Sequence, residues 1–423
     1  AFGASYRKEE IVQLTFDPTN PTGAFDARPV DLAALRAVPG GASARTTTIQ
    51  FASVPNIAGD FNVKEAFFEL QVPLLADLTG VQQLDTSVAA RWADYSGSGE
   101  IWAWKVGADW QVYDDLRLRG TISRDIRAAT LAERFDRTGG TTSFEDPEFG
   151  NAQLDASLAT GGNPNVAPEE ADTLTFGAVY QPSWLEGFSV SADWYEIDIK
   201  GSIGQLGVQR IIDDCFRGAQ SLCEQISRDP ATNRVTLVEN IFLNIDAAKV
   251  SGVDMEMSYL RPVNFFGTNN ESIRWSFFGT YLEENSITNL GAPKVDRAGE
   301  VGGQSLPEFK ITTSVNYDVG PFTAFLQLRY TDSGYLDADE EQGVDIDDNT
   351  VSSVTYTDFR LSYTRDNANG SSFEVFGHVA NLFDEEPPVA ASFSTFTGTS
   401  SQTNANLYDT LGRRYTAGVR YRY

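Results

Sequence analysis

Apolar and polar residues alternate along most of this chain with a period of two. At its end Tyr415, Ala417, Val419, Tyr421 and Tyr423 fall on one face, and Thr416, Gly418, Arg420 and Arg422 on the other. That period marks a strand, because successive side chains leave a pleated backbone on opposite sides. The pattern predicts strands at 1–8, 62–72, 84–95, 101–113, 116–123, 173–181, 188–199, 253–259, 273–281, 309–317, 322–330, 358–364, 373–383 and 415–423. In 101–113, for example, Trp102, Trp104, Val106 and Trp110 oppose Lys105, Asp109 and Gln111.

The connections carry a second regularity. Long polar stretches at 10–61, 124–170, 200–247, 286–304, 331–351 and 385–408 alternate with short turns such as 73–80, 114–115, 182–187, 319–321 and 365–371. The first stretch holds Pro18, Pro21, Pro29, Pro39 and Pro55 and reads as irregular. A soluble sandwich has no reason to gather its long loops at one end. A membrane barrel does, with apolar residues toward lipid and polar residues toward the lumen. Closure removes the unpaired edges that lipid does not tolerate. The expected fold is an all-β, antiparallel, up-and-down transmembrane β-barrel with about 14 strands present, each of about 9–11 residues across the bilayer. Trp92, Trp110, Trp194, Tyr330 and Tyr363 are expected in its interfacial girdles.

Composition narrows the picture. No apolar run approaches the length of a transmembrane helix. The formal net charge of -27 argues against a nucleic-acid partner, since phosphate contacts need clustered Lys and Arg. Cys215 and Cys223 are the two cysteines, and they lack the further Cys or His ligands of a zinc site. No phosphate loop, Ser/His/Asp set or cofactor motif is present, so neither enzyme chemistry nor a cofactor is expected.

Six stretches, in order, resemble one family. They are Lys105-Val106-Gly107 with 116–123, and Ile126-Arg127-Ala128 with Glu133-Arg134-Phe135. Asn163-Pro164-Asn165 with Pro168-Glu169, Asp193-Trp194-Tyr195-Glu196-Ile197, Ser251-Gly252-Val253-Asp254 and Asn381-Leu382-Phe383-Asp384 complete the set. Together they are similar to the C-terminal part of TonB-dependent outer-membrane receptors. Ala129 and Arg134 stand where that family usually has Pro and Leu. The resemblance implies a 22-strand barrel, and residues 1–423 read as a fragment of its barrel domain, without plug or TonB box. It implies active import of a scarce solute (a ferric siderophore or an oligosaccharide) across the outer membrane of a Gram-negative bacterium. The implied partners are outer-membrane lipid, the TonB complex acting through an upstream plug, the barrel assembly machinery and the solute. A passive porin-like channel and a soluble all-β carbohydrate-binding or carbohydrate-active protein are the other two readings.

Individual residues follow from that frame. Cys215 and Cys223 are expected to form a disulfide in an oxidising compartment. Arg127, Glu133 and Arg134 follow a strand that leads outward; they are placed to touch substrate, but pairing with each other is the favoured expectation. Asp337, Asp339, Glu341 and Asp348 echo a calcium loop, yet Gln342 sits where such a loop needs Gly, so a solvated charged loop is favoured. His378 shares the lumen face with Glu374 and reads as a solvated polar residue. Tyr423 is expected at the periplasmic rim as an assembly signal.

Overall fold

The computed structural model describes residues 1–13, 57–267, 270–288, 293–303, 306–367, 370–394 and 399–423. Fourteen strands follow one another in a single antiparallel sheet. They are β1 (Phe2–Gln13), β2 (Ile57–Leu78), β3 (Val81–Tyr95), β4 (Gly99–Tyr113), β5 (Leu116–Arg127), β6 (Glu169–Tyr180) and β7 (Phe188–Gly204). Then come β8 (Leu243–Pro262), β9 (Glu271–Thr288), β10 (Phe309–Val319), β11 (Phe322–Thr331), β12 (Val354–Asp366), β13 (Ser372–Ala380) and β14 (Arg414–Arg422). Each pairs with its chain neighbour, the simplest way for a chain of alternating strands to satisfy its backbone. Among the described residues β1 and β14 are the two edges and do not pair with one another.

Register decides which face each residue takes. Val375 lies opposite Val419 and Tyr363, while Glu374 lies opposite Arg420 and Thr364. Carried around the sheet, the apolar face includes Phe68, Trp102, Ile122, Phe176, Leu326 and Tyr415, all exposed. Exposed aromatic and aliphatic side chains over a whole sheet face suit lipid rather than water. Trp92, Trp110, Trp194, Tyr330 and Tyr363 all lie on this face.

Several boundaries differ from expectation. The stretch 73–80 is not a turn: β2 runs through Pro73 to Leu78, and only residues 79 and 80 turn. Pro73 sits beside a register shift between Pro73 and Leu75, the kind of irregularity at which a strand tolerates a residue without an N–H. At the long-loop end the strands also outrun the predicted lengths. β7, β8 and β9 span 17, 20 and 18 residues, whereas β10, β11, β13 and β14 span 9 to 11. The first long stretch contributes β1 to Gln13 and β2 from Ile57, and its prolines 18–55 lie outside the described residues.

The outward face of the tall strands is charged near the long-loop end. Arg124 meets Asp172 at 2.7 Å and Glu170 at 3.3 Å, and Lys200 meets Asp172 at 2.9 Å. Lys249 joins Glu196 at 2.9 Å and Glu284 at 3.7 Å. These pairs form a belt above the apolar band.

Candidate functional site

Among the described residues, the long connections after β5, β7, β9, β11 and β13 fold into two assemblies. The first combines the connections after β5 and β7. Strands Arg137–Asp146 and Ala152–Gly161 pair, and Val235–Ile241 adds in parallel, with Ile226–Arg228 outermost. Helices α1 (Leu131–Phe135), α2 (Val208–Phe216) and α3 (Gln220–Cys223) complete it. Phe144, Ile211, Ile212, Leu222, Val235 and Val238 make a small core of their own. A disulfide joins Cys215 to Cys223 across the α2–α3 corner.

The second assembly draws on the connections after β9, β11 and β13. Val301, Val351, Val354, Tyr356, Ala390 and Tyr408 pack together. Arg297 ties it by ion pairs to Glu300 at 2.6 Å and Asp339 at 2.5 Å. Asn404 donates to the carbonyls of Val301 at 3.0 Å and Gly302 at 2.6 Å. Burial pushes the Tyr408 phenol up to about 12, and its Oη has no hydrogen-bond partner among the described residues.

The residues singled out from the sequence separate. Arg127, the last residue of β5, pairs with Glu169 at 2.7 Å and Glu133 at 3.0 Å. Glu133 sits at the third position of α1 and closes a capping box with Thr130. Burial pushes the Glu133 carboxyl up, but hydrogen bonds from Arg127 and Thr130 outweigh it and leave the group below its ordinary value. Arg134 does not join this node. Its guanidinium is buried between the rings of Phe61 and Phe135, 5.8 Å and 5.4 Å from their centroids. It donates to the carbonyls of Ser96 at 3.3 Å and Pro164 at 3.0 Å. Burial holds its pKa below the usual guanidinium value. The cation thus fastens the first assembly to β2 and the β3–β4 turn. Neighbours on a one-turn helix face different ways, which the sequence spacing did not reveal.

The acidic loop is laid out by local contacts. Asp337 and Asp339 face Arg297, and Asp348 accepts from the Thr350 amide and hydroxyl. Glu341 lends its carbonyl to the turn at Gly343–Ile346. Among the described residues no group of three or more His, Cys, Asp or Glu side chains is placed to hold a metal. Tyr423 follows β14, fully exposed, its ring 5.9 Å from that of Tyr421.

The inner wall was foreseen only as polar. Register shows that its charge is divided. The inward positions of β1–β8 carry Arg7, Arg91, Lys105, Arg117, Arg119 and Arg127. Against them stand Glu9, Glu65, Glu69, Asp85, Asp109, Asp125, Glu169, Asp193, Asp254 and Glu256. In β9–β14 the balance reverses: Arg274, Lys310, Arg329, Arg360, Arg414, Arg420 and Arg422 stand against Asp318, Asp358, Asp366 and Glu374. His378 lies on this basic side, opposite Arg360.

Comparison with known proteins gives the frame. The family described as "TonB dependent receptor-like, beta-barrel" matches residues 1–382. No curated protein sequence matches the chain. Among solved structures it is similar to the ferric enterobactin receptor PfeA of Pseudomonas aeruginosa in complex with BCV-L6, at TM-score 0.62 and 13% identity. That match covers 99% of this chain and 51% of the other. The siderophore receptor PirA of Acinetobacter baumannii matches at TM-score 0.54 and 18% identity, over 86% of this chain and 46% of the other. The chain therefore spans about half the length of the solved structures it matches.

Proposed function

This chain belongs to the TonB dependent receptor-like β-barrel family, and on that premise we propose that it serves TonB-driven import of a scarce solute across the outer membrane of a Gram-negative bacterium. In this reading residues 1–423 are part of the barrel domain. They supply wall and solute-capturing loops, while the TonB complex acts through a plug held in the lumen. The carrying observation is the one-sided gathering of long loops into two packed assemblies over a wall that is apolar outside and charged inside. A passive pore needs the wall but gains nothing from two ordered caps above it. A ferric siderophore is the favoured solute, since the solved neighbours are a ferric enterobactin receptor and a siderophore receptor.

Outer-membrane lipid would cover the apolar face, and the assembly machinery would read the exposed aromatic end at Tyr423. Two measurements test the reading. Uptake of a labelled siderophore should stop when TonB is deleted; uptake that survives the deletion rejects active transport. Removing Tyr423 should lower the amount of protein inserted; normal insertion rejects its role as an assembly signal.

A further inference from the structure

We propose that α1 is a releasable latch at the mouth of the lumen: its tip, Arg134 and Phe135, seats on the inner wall of β2 and β3 and leaves that seat for solute to pass. The passage of solute rests on the import reading; the release of the tip does not. Leu131 packs against Phe61, Val63 and Ala93. These are inward positions at the long-loop end, with Val63 opposite Arg7, Phe61 opposite Glu9 and Ala93 opposite Glu65. The helix therefore covers the wall from inside. The seat is also shaped for it. A side chain on Gly59 would collide with the Phe135 ring. A Cβ on Gly97 would come within 2.6 Å of Arg134 Nη2, and one on Gly162 within 2.7 Å of the Phe135 nitrogen. Three separate segments thus leave out a Cβ where the tip lies.

The base of α1 is held by charge pairs and the tip is not. At the base Arg127 reaches Glu133 at 3.0 Å and Glu169 at 2.7 Å. At the tip Arg134, 6% exposed, meets no carboxylate. Two carbonyls and two ring faces surround it, and its buried Nε has no hydrogen-bond partner among the described residues. Burying a cation without a counter-charge opposes seating, and release returns the guanidinium to water. The apolar contacts of Leu131 and Phe135 favour the seat, and the stranded charge offsets them. The seated and released states are thereby brought close in free energy, as a latch requires.

Hydrogen exchange and a reducible lock test the latch in the full-length receptor, purified from outer membranes in detergent. In the wild type the amides of 131–136 should exchange about tenfold faster than those of Ile211 and Ile212. Arg134→Leu fills the seat without the charge, and should slow exchange at 131–136 by about tenfold while Ile211 and Ile212 stay unchanged. Exchange at 131–136 that is unchanged or faster in this variant overturns the proposal. Gly59→Cys combined with Phe135→Cys brings two Cβ atoms within disulfide reach and closes the latch covalently. The locked receptor should lose TonB-dependent uptake of a labelled siderophore and regain it under a reductant that leaves wild-type uptake intact. Uptake by the locked receptor at the wild-type rate, or a loss that reduction does not reverse, overturns the gate. Exchange is read without transport, so a failure of the import reading in the TonB deletion is distinguishable from a failure of the latch.

Discussion

The two loop assemblies solve one problem by different means. Each must hold several irregular segments together above the wall. The first has its own sheet, a core centred on Ile211 and Ile212, and a covalent tie at Cys215–Cys223. The second has little sheet, a core that borrows Val354 and Tyr356 from β12, and a charged tie at Arg297. The first is a small domain standing on the rim. The second is an extension of the wall. Damage to the first should stay local, whereas damage to the second should reach β12.

Ile212→Ala should have the largest effect. The side chain is fully buried, so the cavity left costs about 2–5 kcal/mol. Hydrogen exchange should accelerate in 137–161 and 235–241 and stay unchanged in β10–β14; spread into the wall would erase the distinction between the assemblies. Arg297→Ala comes next, because it takes the ion pair from Glu300, 2% exposed, and leaves its carboxylate the Ala338 amide at 3.3 Å. A loss of about 3 kcal/mol is expected, with faster exchange reaching into β12 and the first assembly spared.

Replacing Cys215 and Cys223 together by serine should cost about 2.5 kcal/mol, the closure entropy of a loop whose ends are 8 residues apart. Limited proteolysis should then cut near the α2–α3 corner, and a reductant should reproduce the cut in the wild type only. The smallest effect is one of pH. The Tyr408 phenol is raised to about 12 from an ordinary 10.0. Its neutral form is favoured in the folded state, so this stability is complete below pH 10 and is lost as pH rises through 12. Exchange in the second assembly should rise across that window and not in the first. Tyr408→Phe should remove the alkaline step without loss of stability at neutral pH.

The wall was legible in the sequence and the caps were not. Every predicted strand has its counterpart because one buried or lipid-facing side per strand writes its period directly into the chain. The ends were misjudged where strands leave the apolar band and their outward positions turn polar, as at Arg124, Asp172 and Lys249. The assemblies escaped because their apolar residues are sparse and come from separate loops. Phe144 and Val238 meet only after β5 through β8 have brought their loops together. Arg127 and Glu133 were singled out correctly as neighbours, but the burial of Arg134 depends on Phe61, more than 70 positions earlier.

The belt of ion pairs outside the tall strands has a consequence for how the protein rides in its membrane. Arg124, Lys200 and Lys249, with their carboxylates, cannot sink into hydrocarbon; a cation on the lipid face costs about 2–4 kcal/mol at mid-bilayer and little at the interface. A downward slip would submerge all three together. The energy of vertical displacement therefore rises steeply in one direction, and the belt acts as a waterline that fixes the draught of the barrel.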